Sequence, residues 1–245
     1  MNSPAPAAPA PALTRPHTVT TSAAPLVLLD LDGTLTDSAP GIMRCAAHAL
    51  RTMGRPVPST DELRRFIGPG ISESLLAHGV TPELLPEAVA AYREEFAAGG
   101  MFENSLFDGV ADALVALRDA GCTLGVATSK PHRFAVPICE RYGLTDLVDG
   151  VWGAPPDDVP SSKATVVADA IASFARDGRF PGAARTVMVG DREHDVHGAA
   201  THGVVCLGVR WGYADPGELD AAGAIGVVEQ PADLANAVLE QLGLA

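Results

Sequence analysis

The sequence predicts an α/β fold, a Rossmann-like doubly wound parallel sheet, with an all-helical segment inserted after the first strand. Three observations carry this. Leu26-Val27-Leu28-Leu29 is a continuous apolar run, which suits a strand buried on both faces. From about residue 110 onward helix-like and strand-like stretches alternate, as they do where helices cross over a parallel sheet. Between 39 and 107 the periodicity is helical and no convincing strand interrupts it.

Taken in order, residues 1–24 are rich in Pro, Ala and Thr and lack the apolar core of a signal peptide, so a disordered tail is expected. After the strand at 26–29, Ile42, Ala46, Ala49, Leu50 and Met53 recur at helical spacing until Gly54 stops them. Helices over roughly 60–66, 72–78 and 82–98 follow, and Gly99-Gly100 ends the pattern. Val110, Leu114 and Leu117 then share a helix face, Gly121 caps that helix, and a strand at 122–128 follows. The remaining alternation is a helix from Pro131 to Gly143, a short strand at 148–152, a helix at 163–175 and a strand at 186–189. A helix ended by Gly203, a strand at 204–209 and a terminal helix at 232–242 complete it. The expected organisation is a tail at 1–24, a core of 25–38 and 108–245, and a helical domain at 39–107.

Composition excludes several functions. No stretch is apolar and uncharged for long enough to cross a membrane. A net charge of -13 argues against binding nucleic acid or a membrane surface. It also repels anions at long range, so a phosphate site must be built locally from backbone N–H groups, a metal and a few placed cations. Cys45, Cys122, Cys139 and Cys206 form no CxxC pair, which reads as reduced, cytoplasmic usage. Of the 17 basic residues only Lys130 and Lys163 are lysines. A compact ammonium is not interchangeable with a planar guanidinium in a tight site, so both are marked as candidates.

Ligands of an open parallel sheet gather at the carboxyl ends of its strands. Those ends carry Asp30 and Asp32, then Thr128-Ser129, then Gly190-Asp191, with Lys163 opening the helix before the last. Asp32-Gly33 as a tight hairpin turn is the bland alternative, but helix-like sequence follows rather than a returning strand. Asp30 and Asp191 can share Mg²⁺, a hard cation that prefers oxygen ligands. Thr128 or Ser129 and the N–H groups after Asp32 and Ser129 can hold phosphate oxygens while Lys163 neutralises charge. Asp30 is then placed to attack phosphorus, and Asp32 to move the protons, with Thr34 orienting water.

Asp30-Leu31-Asp32-Gly33-Thr34-Leu35-Thr36-Asp37, Ala127-Thr128-Ser129-Lys130, Lys163, and Gly190-Asp191-Arg192-Glu193-His194-Asp195 together resemble the four motifs of the haloacid dehalogenase-like hydrolases. The resemblance spans nearly all of 25–245 and looks most like the phosphoglycolate phosphatase-like branch, which includes 5′-nucleotidase-like members. It implies that the insertion is a C1-type cap, that Asp30 is the nucleophile and Asp32 the acid/base. It also implies that Mg²⁺ is held by Asp30, Asp191 and the Asp32 backbone carbonyl. Gly33, Thr34, Thr128, Ser129 and Lys163 become phosphate binders, and Asp195 supports the metal's waters or Lys163. The proline-rich stretch before Lys163 departs from the family pattern.

Other residues are candidates by position. Gly68, Gly70 and Ser72, at a turn opening a cap helix that Ser72 caps, are expected to touch substrate. One cap arginine, Arg65 being the candidate, would meet a substrate carboxylate or second phosphate. Lys130 is expected to pair with an acid, touch substrate or lie on the surface. His194 and His197 are set aside as a transition-metal pair because hard-oxygen chemistry accounts for the acids. Arg210, Trp211 and Tyr213 follow the last strand and either rim the pocket or, for Trp211, pack at the domain edge. The expected activity is a Mg²⁺-dependent phosphomonoesterase acting on a small phosphorylated metabolite. A phosphomutase of the β-phosphoglucomutase type and a non-catalytic phosphate-binding or regulatory protein are the alternatives. A Schiff-base phosphonate cleavage has no lysine between 39 and 107 to use, and dehalogenation has no use for Asp32. Oligomeric state is left open.

Overall fold

The structure, a computed structural model, describes residues 23–155 and 161–244. The expected tail falls, up to residue 22, outside the described residues. Strand β1 (Leu26–Leu29) leads through a short β2 (Thr36–Asp37) into helices α1 (Ala39–Thr52), α2 (Thr60–Arg64), α3 (Ile71–Ala77) and α4 (Leu85–Ala98). The chain returns through β3 (Ser105–Leu106) to α5 (Val110–Asp119), β4 (Thr123–Pro131), α6 (His132–Arg141), β5 (Val151–Ala154) and α7 (Lys163–Arg176). It finishes with β6 (Thr186–Gly190), α8 (Glu193–Ala200), β7 (Val205–Val209), α9 (Glu218–Ala222), β8 (Gly226–Val228) and α10 (Leu234–Gln241).

Six strands form one sheet in the order β5-β4-β1-β6-β7-β8, and every pairing in it is parallel. Strand β1 is central, and the chain turns first to one side of it and then to the other. That reversal opens a crevice at the carboxyl ends of β1, β4 and β6. All four β1 side chains are buried, and alternation splits them between faces. Val27 and Leu29 join a cluster with α5, α6 and α10 residues such as Leu114, Ile138 and Leu234. Leu26 and Leu28 join Val166, Phe174 and Val196 of α7 and α8 on the other face.

Helices α1 to α4 bury a third cluster, including Ile42, Leu50, Phe66, Leu75 and Phe96, which Phe134 of α6 joins. Helix α1 starts with proline in its first turn, and its buried face runs through Ile42, Cys45, Ala46, Ala49 and Leu50. Short helix α2 is fixed by a capping box between Ser59 and Glu62.

The structure also departs from the sequence reading. Strands β2 and β3 pair antiparallel as a two-residue ribbon at the entrance to and exit from the helices, where only helix was expected. Two residues on each strand are too few to show alternation. Strand β8 and helix α9 were not expected, because Gly226-Val227-Val228 is three residues long behind a glycine-rich stretch. Strand β5 lies at Val151–Ala154 rather than 148–152, since Leu144 begins a 3₁₀ turn whose carbonyl accepts from Val148 N–H at 3.0 Å. Helix α2 is shorter than expected, and α4 starts three residues later than its pattern suggested.

Candidate active site

Asp30 follows the last residue of β1 and stays in the sheet, its N–H donating to Val189 O at 2.9 Å. The chain then turns sharply. The Leu31 carbonyl accepts from the N–H groups of Leu35 and Thr36, both at 2.9 Å. Gly33 makes this turn with a φ of +82°, and a Cβ there would lie 2.2 Å from Asp191 Oδ2. Glycine is therefore required twice over, by conformation and by the approach of an acid from β6. Asp30 and Asp32 consequently do not face one another as strand neighbours.

Three buried carboxylates converge, those of Asp30, Asp191 and Asp195, with one oxygen from each lying within 4.8 Å of the others. Lys163, at the first position of α7 and itself buried, sets its Nζ 2.7 Å from Asp30 Oδ1 and 2.6 Å from Asp195 Oδ1. The same Nζ donates to Ala127 O at 3.0 Å, so the three donors of one ammonium serve all three oxygens. Burial pushes the Asp30 carboxyl up to about 6, with Lys163 pulling it down and Asp195 pushing it up again. Burial, then Asp195 and Asp30, raise Asp191 well above the carboxylate range, against the pull of the Tyr213 N–H. For Lys163, burial opposes the charge but Asp195 and Asp30 outweigh it, so the ammonium is held.

Three clustered acids, two of them paired with one ammonium, are short of positive charge. A divalent cation would relieve their repulsion. The donor set is all oxygen and includes neither His194 nor His197, and His197 is exposed. Such a set suits a hard cation such as Mg²⁺, Ca²⁺ or Mn²⁺.

Asp32 turns away from this cluster. Lys130 Nζ donates to its two oxygens at 2.8 and 2.6 Å, and Lys130 is 8% exposed, so the surface reading of Lys130 is wrong. The cause is local: β4 runs on to Pro131 with a register irregularity after Thr128, which carries Lys130 inward. Thr128 is buried, and its hydroxyl accepts from the Lys130 N–H at 3.2 Å. The Thr34 hydroxyl donates to Asp191 Oδ1 at 3.3 Å.

A cavity of about 450 Å³ opens above these groups. Asp30, Asp32, Thr128, Ser129, Lys130 and Lys163 form its floor, and Gly68, Gly70 and Ser72 lie on its wall. Ile42, Phe66, Tyr92, Phe96 and Phe134 make much of the rest apolar. Two sequence expectations fail here. Gly70, not Ser72, is the N-cap of α3. Arg65 is exposed at the end of α2 and outside the lining, because Leu63 and Phe66 take the inward positions of that turn. Arg93 is the cap arginine that reaches the cavity.

The sequence reading missed what fixes Asp191 and the cap loop. Tyr213 N–H donates to Asp191 Oδ2 at 2.8 Å, and its hydroxyl donates to Asp37 at 2.6 Å while accepting from Ser38 N–H. Trp211 Nε1 donates to Thr34 O at 3.0 Å, so the segment after β7 buttresses the turn. Arg192 donates to Ile67 O at 2.6 Å and to Glu218 at 2.7 Å. Its position directly after Asp191 was the available signal.

The family model described as haloacid dehalogenase-like hydrolase matches residues 27–209. The tyrosine-protein kinase PtkA of Mycobacterium tuberculosis is 45% identical over 188 residues, 77% of this chain, and the match spans only 62% of PtkA's length. A 5′-nucleotidase of Pseudomonas aeruginosa is 37% identical, covering 80% of this chain and 87% of that protein. A plasmid-encoded phosphoglycolate phosphatase of Cupriavidus necator is 35% identical, covering 83% and 88%. Among solved structures, a predicted phosphatase from Clostridium acetobutylicum superposes with a TM-score of 0.82 at 36% identity, covering 89% of this chain and 100% of that one.

Proposed function

The chain belongs to the haloacid dehalogenase-like hydrolases, and we propose that it is a phosphoric monoester hydrolase working through an aspartyl phosphate on Asp30. The observation that carries this reading is the convergence of Asp30, Asp191, Asp195 and Lys163 beside a separately held Asp32. The proposed organisation is a core of 25–38 and 108–245 under a helical cap of 39–107, supported by an apolar cluster drawn, but for Phe134, from the cap helices and their loops.

In the proposed reaction Asp30 attacks phosphorus, and the bond to the leaving oxygen breaks as Asp32 gives that oxygen its proton. Water then loses a proton to Asp32 and attacks the phosphoryl group, freeing Asp30. Lys163 neutralises charge beside the nucleophile, while Thr128 and Ser129 are proposed to hold phosphate oxygens; the Gly33 and Thr34 N–H groups, expected to help, donate instead to Thr36 O at 2.8 Å and Leu31 O at 3.4 Å. Asp30, Asp191 and the Asp32 carbonyl would hold Mg²⁺, with Asp195 nearby, and when bound it neutralises the phosphoryl oxygens.

Substrates in this reading are small phosphate esters whose leaving group meets the cap. A cavity of about 450 Å³ walled by Phe66, Tyr92, Phe96 and Phe134 favours a group with a flat apolar part, as in a nucleoside 5′-monophosphate, over compact phosphoglycolate. The phosphomutase and the non-catalytic binder remain as rival readings of the same site. The relation to PtkA favours a further one, phosphoryl transfer to protein tyrosine.

A phosphate-release screen over a metabolite panel, with and without Mg²⁺, separates these readings. Asp30→Asn should lower release from 4-nitrophenyl phosphate by at least about 1,000-fold. Undiminished release would remove Asp30 as nucleophile. Isomerised sugar phosphate would favour the mutase, tight phosphate binding without turnover the binder, and label passing from ATP to protein tyrosine the kinase.

A further inference from the structure

We propose that Lys130 is a positioning residue that sets Asp32 for proton transfer and makes that setting depend on the cap, through Phe96. The inference rests on the phosphatase reading above and adds to it a link between cap and proton transfer. Lys130 comes from β4 of the sheet, yet its ammonium lies 4.9 Å from the centroid of the Phe96 ring on α4. The same Nζ holds the Asp32 oxygens at 2.8 and 2.6 Å. One cation therefore touches the proton-transfer group on one side and the cap on the other.

Phe96 is itself firmly placed. It stacks on Tyr92 at 5.6 Å and meets Phe134 of α6 edge-on at 5.1 Å. An ammonium over an aromatic face is attracted to it, most strongly where water is excluded. The Lys130 side chain is only 5% exposed, so moving α4 away would replace the ring with water and loosen the grip on Asp32.

The clamp fits both halves of the reaction. In the first, one Asp32 oxygen stays with Lys130 while the other carries the proton that passes to the leaving oxygen as the phosphorus bond to Asp30 forms. In the second, that same freed oxygen takes the proton of the attacking water as the phosphorus bond to Asp30 breaks. Asp32 is in place only when Phe96 is seated, so proton transfer is best supported under a closed cap.

The test is a leaving-group series from 4-nitrophenyl to unsubstituted phenyl phosphate, with Mg²⁺ present. Lys130→Met should lower kcat/KM for phenyl phosphate by about 100-fold. It should cost the 4-nitrophenyl ester, whose leaving oxygen needs little proton, less than about tenfold, with KM for both changed less than about threefold. Phe96→Leu, which keeps an apolar side chain, should show the same pattern with smaller losses. Equal losses across the series, or losses confined to KM, would overturn the proposal. A second readout needs no turnover, because Lys130 and Lys163 are the chain's two lysines. Labelling with an amine-reactive ester, located by mass spectrometry, should reach Lys130 faster in Asp32→Asn and in Phe96→Leu than in the unaltered protein. No acceleration in either would overturn the linkage. Acceleration in a protein that cleaves no ester would uphold the linkage and overturn the phosphatase reading instead.

Discussion

Gly33 shows how much of the site hangs on single atoms. Its φ of +82° and the 2.2 Å that a Cβ would leave to Asp191 Oδ2 mean that Gly33→Ala strains the backbone and also displaces a carboxylate. The expected cost is about 1–3 kcal/mol in urea unfolding, with Mg²⁺ affinity lowered in the same variant. A stability loss with Mg²⁺ binding intact would show that Asp191 can move aside. At this scale the sequence was legible wherever a residue's chemistry is strong: Asp30, Asp191 and Lys163 were named from type and position, and they meet. It was not legible for Arg65, because which side of a short turn faces inward depends on how Leu63 and Phe66 pack. Nor could sequence tell that the Thr34 hydroxyl is spent on Asp191.

Between elements, the cap loop is joined to the core by one guanidinium. Arg192, at the start of α8, reaches Ile67 O just before Gly68, while Glu218 of α9 holds its other side. Glu218 also accepts from the N–H groups of Glu193 and Asp215. Burial raises its carboxyl, but Arg192 and these N–H groups outweigh that and hold it low. Glu218→Ala should therefore leave Arg192 half-held and the loop at 68–70 less well placed. Expected is a loss of about 1–3 kcal/mol and a rise in KM of several-fold with kcat little changed. A fall in kcat with KM unchanged would mean that the loop does not shape substrate binding. Strands of four or more apolar residues were readable because burial on both faces leaves a continuous apolar run. Strand β8 and the β2–β3 ribbon were not, since they form where neighbouring strands offer them free backbone groups.

Across the whole molecule, a chain of net charge -13 gathers three buried carboxylates, two of them paired with a single lysine. The fold holds an electrostatic load at its centre, and this sets the pH behaviour of the metal-free protein. Asp30 is raised from 3.8 to about 6 by burial, and Asp191 is raised too. An acid whose folded pKa is raised lends its full stability below the unfolded value and loses it as pH climbs through the folded one. Metal-free protein should therefore lose stability from about pH 4 through about pH 6 as Asp30 ionises, and go on losing it above as Asp191 follows. Mg²⁺ favours the ionised carboxylates, so its stabilisation should be larger at about pH 7 than at about pH 5. At a hundred times its dissociation constant the cation would add about 2.7 kcal/mol, a rise in melting temperature of roughly 5–11 °C for a chain of this size. Thermal melts at both pH values, in Mg²⁺ and in EDTA, measure this. An equal shift at the two pH values would mean that the cation does not bind at the three acids.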